Sequence, residues 1–167
     1  MRRILNIAAL LAALSIAAFL IVGPERIWAQ FGAADLGDVD FATLVRRDSP
    51  NDALACLPDV CAAKADIAAP LIAKPPATVF AAVETALSRE PRVQEVAADA
   101  AQGTLRFVER SRLLGFPDTV NLKVVPTPDG GSAVLIYSRS QIGRDDMGVN
   151  LARVKRWAEL IEAEAGR

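Results

Sequence analysis

An apolar run from Ile4 to Val22 constrains this chain more than any other feature: 17 of its 19 residues are apolar, interrupted only by Asn6 and Ser15. As a helix it extends roughly 28 Å, close to the hydrocarbon thickness of a bilayer. Arg2 and Arg3 precede it and Gly23-Pro24-Glu25-Arg26 closes it. The apolar core of a cleavable signal peptide is usually shorter, about 7–15 residues. No clean Ala-x-Ala follows either; Ile27-Trp28-Ala29 is the nearest substitute, with Ala29 a candidate cleavage point. An uncleaved single-pass anchor and a cleaved signal both fit, and length and the interfacial position of Trp28 favour the anchor. Both give one topology. The arginine pair stays in the cytoplasm and everything after residue 29 faces outward, into the periplasm if the cell is Gram-negative. The expected location is therefore the inner (cytoplasmic) membrane, and the first expected partner is the lipid bilayer.

Outside that run the apolar share falls to about 47%, an ordinary soluble composition. Length fits one domain, which divides here into residues 1–29 as anchor or signal, 30–50 as linker and 51–167 as the exported domain. Residues beyond 29 hold 16 basic and 19 acidic side chains, a balance that argues against nucleic acid as a partner. The chain has no histidine. That excludes Ser-His-Asp and Cys-His catalysis and histidine ligation of zinc or haem, leaving carboxylate, Lys, Tyr or Cys as the only candidate acids and bases. No S-x-x-K, G-x-S-x-G, phosphate loop or G-x-G-x-x-G occurs, so no cofactor and no resident metal is expected. A binding module is favoured over an enzyme, with a histidine-independent hydrolase as the remaining catalytic alternative.

Residues 30–50 contain four Asp (Asp35, Asp38, Asp40, Asp48), two Gly and no sustained period, which reads as a tether or loosely packed lead-in. Cys56 and Cys61 are the only cysteines. In an oxidising compartment a local disulfide is the leading expectation; a redox dithiol and half a metal site are the alternatives, and the C-x₄-C spacing suits neither well. Pro75-Pro76 opens a helix over Ala77–Arg89, with Val79, Phe80, Val83 and Leu87 on one stripe and Pro91 ending it. Strands are expected at Val93–Ala98, Thr104–Arg112, Val120–Val125 and Ser132–Ser140, the last two joined by the Pro126–Gly131 turn as an antiparallel hairpin. A last helix spans about Asp146–Ala165 with the stripe Leu151, Val154, Ala158, Ile161, Ala165. The fold class is α+β: an N-terminal transmembrane helix, then a small antiparallel sheet of about four strands packed with two helices, its other face partly open.

The densest polar constellation is Tyr137–Asn150, between the last strand and the last helix. Such a junction gathers free backbone N–H groups and the positive end of a helix dipole, an arrangement that favours anions. Arg139 and Arg144 would pair there with carboxylate or phosphate, with Asp146 and Asn150 beside them and Arg110 and Arg112 nearby. The expected ligand is an anionic lipid head group or a small anion. The competing reading is structural: Asp145 or Asp146 caps the helix, and the arginines pair with Asp118 or these acids to hold the junction. A second cluster places Arg106, Arg110 and Arg112 on one strand face, a positive stripe beside Lys123 and Arg139; a solvated sheet face with neighbouring acids explains it equally well.

The stretch Tyr137-Ser-Arg-Ser-Gln-Ile-Gly-Arg-Asp-Asp-Met-Gly-Val-Asn150, preceded by Arg110-Ser-Arg-Leu-Leu-Gly-Phe-Pro-Asp118, resembles domain-of-unknown-function family 1499. The matching positions are Ser138, Arg139, Ser140, Gly143, Asp146, Gly148, Val149 and Asn150, and the likeness runs from about Pro50 to Leu160. The resemblance implies a domain of about 100 residues, often behind a signal or membrane segment, and brings no known activity. Where many members carry Asn-Cys-Val-Ser-Ser, this chain has Asn51-Asp-Ala-Leu-Ala-Cys56, and Leu151 and Ala152 intervene before Arg153.

Overall fold

The computed structural model describes residues 2–167. The apolar run forms helix α1 (Arg2–Val22), whose segment Ile4–Val22 is long and apolar enough to cross a membrane and buries none of its residues inside the protein. A short helix α2 (Pro24–Trp28) and a 3-10 turn (Ala29–Phe31) follow. The remaining elements are β1 (Asp52–Cys56), β2 (Ile67–Ala68), β3 (Leu71–Ile72), α3 (Pro76–Leu87), β4 (Val93–Asp99), β5 (Thr104–Arg110), β6 (Pro117–Pro126), β7 (Ser132–Ser140) and α4 (Val149–Ala165).

The sheet is mixed and seven-stranded, larger than the four-stranded antiparallel sheet expected. Its order is β2-β1-β7-β6-β5-β4, with β3 also pairing with β7, and only the β1–β2 pair is parallel. The four strands legible in the sequence are the antiparallel meander β4–β7. The three additional strands are short. β1 is buried on both faces and shows no alternation, while β2 and β3 have two residues each, too few to carry a period.

Strand alternation divides the core into two layers. Ala53 and Ala55 (β1), Leu105 and Phe107 (β5), Val120, Leu122 and Val124 (β6), and Val134 and Ile136 (β7) face α3 and α4, which contribute Val79, Val83, Leu87, Val154, Trp157 and Ile161. The Phe107 and Trp157 rings meet edge to face at 5.8 Å. Leu54, Leu135 and Tyr137 point the other way, and that face is not open. Residues 34–47, expected from composition to be a loose lead-in, lie across it and bury Phe41 and Leu44 against it. Polar bonds fix this segment in place: Thr119 Oγ1 donates to the Ala34 carbonyl (3.1 Å), Leu36 N–H donates to Thr119 Oγ1 (2.9 Å), and Asn121 Nδ2 donates to the Gly37 carbonyl (3.1 Å).

Cys56 and Cys61 are joined as a disulfide at a Cα–Cα distance of 6.3 Å, with both cysteines buried in this second layer. The loop is so short that its closure is worth only about 2 kcal/mol in the chain-entropy model. Reduction is therefore expected to lower the urea midpoint modestly without unfolding the protein; an unchanged midpoint would show that packing alone holds the loop.

Candidate functional site

The family-like motif folds around a buried arginine absent from the expected ligand set. Arg153 sits one turn into α4 with 2% of its surface exposed, beneath the sheet end formed by β5, β6 and β7. Its Nη2 donates to Asp118 Oδ2 (2.6 Å), and its Nη1 donates to Ser138 Oγ (2.9 Å) and Asn150 Oδ1 (2.7 Å). Its Nε lies 3.0 Å from Glu109 Oε2 without being aligned for a hydrogen bond. Arg156 closes the cluster from the rim, Nη2 donating to both Glu109 oxygens (2.9 and 2.7 Å). Two buried carboxylates thus share one buried guanidinium, a compact arrangement that water cannot screen. Burial pushes the Asp118 carboxyl above its usual range, and the charge and hydrogen bond of Arg153 oppose that rise without cancelling it.

Asn150, fully buried, ties this cluster to the loop before α4. Its Oδ1 accepts from Ser138 Oγ (2.5 Å); its Nδ2 donates to the Asn51 carbonyl (3.0 Å), Ser140 Oγ (2.8 Å) and Asp146 Oδ2 (2.6 Å). Asp146 in turn accepts the backbone N–H of Gly148 and of Asn150, each at 2.8 Å. The free N–H groups expected to attract an external anion are thus met by the chain's own carboxylate, as the structural reading of this junction requires. Asp145 Oδ1 takes the Met147 N–H (2.7 Å), where Met147 stands at φ 53°, an uncommon backbone for a residue with a side chain.

The expected ligand residues do not all come together: Arg112, Arg144 and Asp146 flank one cavity, while Arg110 and Arg139 have other partners. Arg139 lies on the opposite sheet face, where its Nη2 donates to the Leu36 and Gly37 carbonyls at 2.8 Å each and burial lowers its pKa. Arg106 on that face pairs with Asp35 and Asp38, so acids of the lead-in neutralise the expected positive stripe. β5 ends at Arg110, which pairs with Glu25 of α2 at 3.1 Å. Arg112 lies beyond the strand in an exposed turn, and Arg144 is exposed in the 141–148 loop; neither makes a hydrogen bond or ion pair among the described residues. Asp146 and Asn150 do meet, as partners of each other.

On the second face Asp52 carries a separate cluster. It accepts from Arg46 Nη2 (2.6 Å) and from the Tyr137 hydroxyl (2.6 Å). Burial would raise the Asp52 pKa, but hydrogen bonds from Arg46, Tyr137 and the Arg47 backbone outweigh it and hold the carboxyl below its ordinary value. Burial and the bond to Asp52 push the Tyr137 phenol well above its own. This cluster ties the lead-in to β1 and β7.

One cavity adjoins the motif. About 280 Å³ in volume, it opens between the 111–117 loop and the 141–149 loop, with Phe116, Ile142, Met147 and Val149 as apolar walls and Asp118 and Asp146 among its polar lining. Its size is at the small end of ligand sites. Arg112 and Arg144 directly follow two lining residues, Ser111 and Gly143. Asp118 meets one requirement of an acid–base group, a raised carboxyl beside a cavity, but it is 4% exposed and held by Arg153.

The same end of the domain meets α2. Trp28 stacks on Phe116 with centroids 4.3 Å apart, and its Nε1 donates to the Leu114 carbonyl at 2.6 Å. Gly115, at φ 65°, lets the loop lie directly against Pro24; a Cβ there would come within 2.8 Å of the proline ring.

An α+β domain with a mixed sheet, two covering helices and a buried Arg–carboxylate knot under the strand-to-helix loop is thus the class this chain represents. It belongs to the family described as "Protein of unknown function (DUF1499)", whose model matches residues 43–161. No curated protein matches it. Among solved structures it is similar to protein MLL2253 from Mesorhizobium loti, at 13% identity and TM-score 0.37 over 55% of this chain and 92% of that one. It is also similar to TTHA0849 from Thermus thermophilus, at 11% identity and TM-score 0.30 over 68% of this chain and 90% of that one.

Arg153 and Glu109 are not joined to Ser138 in the sequence reading, although the sequence carries a signal for each of the first two. Alternation places Glu109 on the same face as Leu105 and Phe107, where a charge needs a partner. Arg153 falls within the buried stripe of α4, one residue before Val154 and four before Trp157.

Proposed function

We propose that this protein is an envelope accessory module, held in the cytoplasmic membrane by an uncleaved α1, whose outward domain binds a lipid head group beside the membrane. The observation that carries this reading is the placement of Phe116: its ring packs on Trp28 at the end of α1–α2 and also lines the cavity beside the family motif. Cleavage at Ala29 would remove Trp28 and Glu25 and strip one side of that loop. Arg112 and Arg144, the two expected ligand arginines left unpaired, supply the charge for an anionic head group next to the cavity. The other four expected residues, Arg110, Arg139, Asp146 and Asn150, hold the fold.

Intact mass of the purified protein should include residues 1–29, and its melting temperature should rise with phosphatidylglycerol but not with phosphatidylcholine. The Arg112→Ala/Arg144→Ala double variant should fold normally and lose that rise. The rival reading, a purely structural envelope protein whose Arg/Asp motif locks the fold, is favoured by the self-satisfied Asp146–Asn150–Arg153 network. It would stand if no lipid shifted the melting temperature.

A further inference from the structure

The two loops that frame the cavity present an unusual surface. Leu113 is 87% and Met147 94% exposed, with Leu114, Val149 and Phe31 also open to solvent. Large apolar side chains grouped this way mark a contact surface. Strand direction shows which contact. Arg110 pairs with Pro117 and Asp118 with Ser140, so the 111–116 and 141–149 loops leave the same end of the sheet, the end on which Trp28 docks. The 126–132 turn and Leu71 lie at the other end, since Leu71 pairs with Ala133 at the start of β7.

Arg26, Arg112 and Arg144 are exposed at the docking end and make no ion pair among the described residues. Of the acids at this end, Glu25 pairs with Arg110, and Asp145 and Asp146 accept backbone N–H groups of their own loop, while Asp48, two residues before Pro50 on the segment that bonds the 141–149 loop, is exposed and makes no ion pair among the described residues. Apolar side chains flanked by free arginines form the chemistry of an interfacial membrane contact, in which the apolar tips enter the acyl boundary and the guanidinium groups meet anionic head groups.

We infer that the domain lies against the bilayer, with Leu113, Leu114 and Met147 inserted in the interface and Arg26, Arg112 and Arg144 on anionic lipid. This rests on α1 spanning the membrane but needs no occupant in the cavity. The occupant of the surface is the lipid of the leaflet into which α1 emerges, because Trp28 joins both.

The test places a nitroxide on the full chain in nanodiscs containing phosphatidylglycerol, at Leu113→Cys, Met147→Cys, Leu71→Cys or Leu14→Cys in turn. Labels at 113 and 147 should collide several-fold less with a water-soluble nickel chelate than the label at 71, and more with oxygen. Adding Arg112→Glu and Arg144→Glu should move both labels outward. Water exposure at 113 and 147 equal to that at 71, with the label at 14 buried in hydrocarbon, overturns the inference and leaves the anchor standing. A water-exposed label at 14 overturns both. Unchanged depth after charge reversal overturns the role of the arginines.

Discussion

Arg153→Met is expected to cost about 3–5 kcal/mol of folding stability, the range found when one partner of a buried ion cluster is removed. Methionine keeps much of the aliphatic stem but leaves Asp118 and Glu109, both about 95% buried, without their shared cation. For a domain of this size that is a fall of about 10 °C or more in melting temperature. The pH dependence separates this cause from simple loss of packing. The folded-state pKa of Asp118 is already raised by burial against the pull of Arg153. A carboxyl raised in the folded state binds its proton more tightly there, so its contribution to stability falls as pH rises from the ordinary carboxylate range through the raised value. Without Arg153 the burial effect is unopposed and that window extends upward. The deficit of the variant should therefore shrink as pH is lowered from neutrality towards 5. A deficit that stays constant or grows on acidification would assign the loss to packing alone.

Asp52 has the opposite sign. Its lowered carboxyl contributes stability at pH values above its unfolded-state pKa, and that contribution is lost as pH falls through the folded value. The wild type is thus expected to weaken in strong acid, below the window in which Arg153→Met partly recovers.

How much of this was legible in the sequence depended on local period. The β4–β7 meander and both covering helices follow from alternation and 3–4 residue spacing, and the limits of β7 match the expected Ser132–Ser140. Asp52–Cys56 was not legible because a strand buried on both faces, flanked by a disulfide loop, offers no alternation to detect. The lead-in was not legible because the first half of it is fixed by partners more than 60 residues away: Arg106 for Asp35, Thr119 for Leu36 and Arg139 for the Leu36 and Gly37 carbonyls. The motif itself was visible as a polar constellation, but its reading turned on which face each side chain takes. A single residue step along β7 separates Ser138, under α4, from Arg139, against the lead-in. A linear cluster of charges is therefore divided between the two faces of the sheet.

Asn150 carries the second large prediction. Asn150→Ala is expected to cost about 3 kcal/mol, because Ser138, Ser140, the Asn51 carbonyl and Asp146 each lose a partner in a buried setting where an unmet polar group costs about 1–3 kcal/mol. Asn150→Asp should be at least as damaging at neutral pH, although the side chain keeps its shape. Its Oδ1 can still accept from Ser138 and Arg153, but no N–H remains for Asp146 Oδ2, 2.6 Å away, and two carboxylates would face each other with Asp118 close by. One of the pair must take up a proton, so Asn150→Asp should regain stability on acidification while Asn150→Ala should not. Parallel pH–melting curves for the two variants would refute the carboxylate contact. A wild-type melt for Asn150→Ala would remove the case for a structural lock and return Asn150 to the candidate ligand set. If the lock holds, the motif has a mechanical consequence: it fixes the 141–149 loop opposite Phe116. The spacing of the two loops that frame the cavity is then set by buried bonds rather than by whatever lies between them.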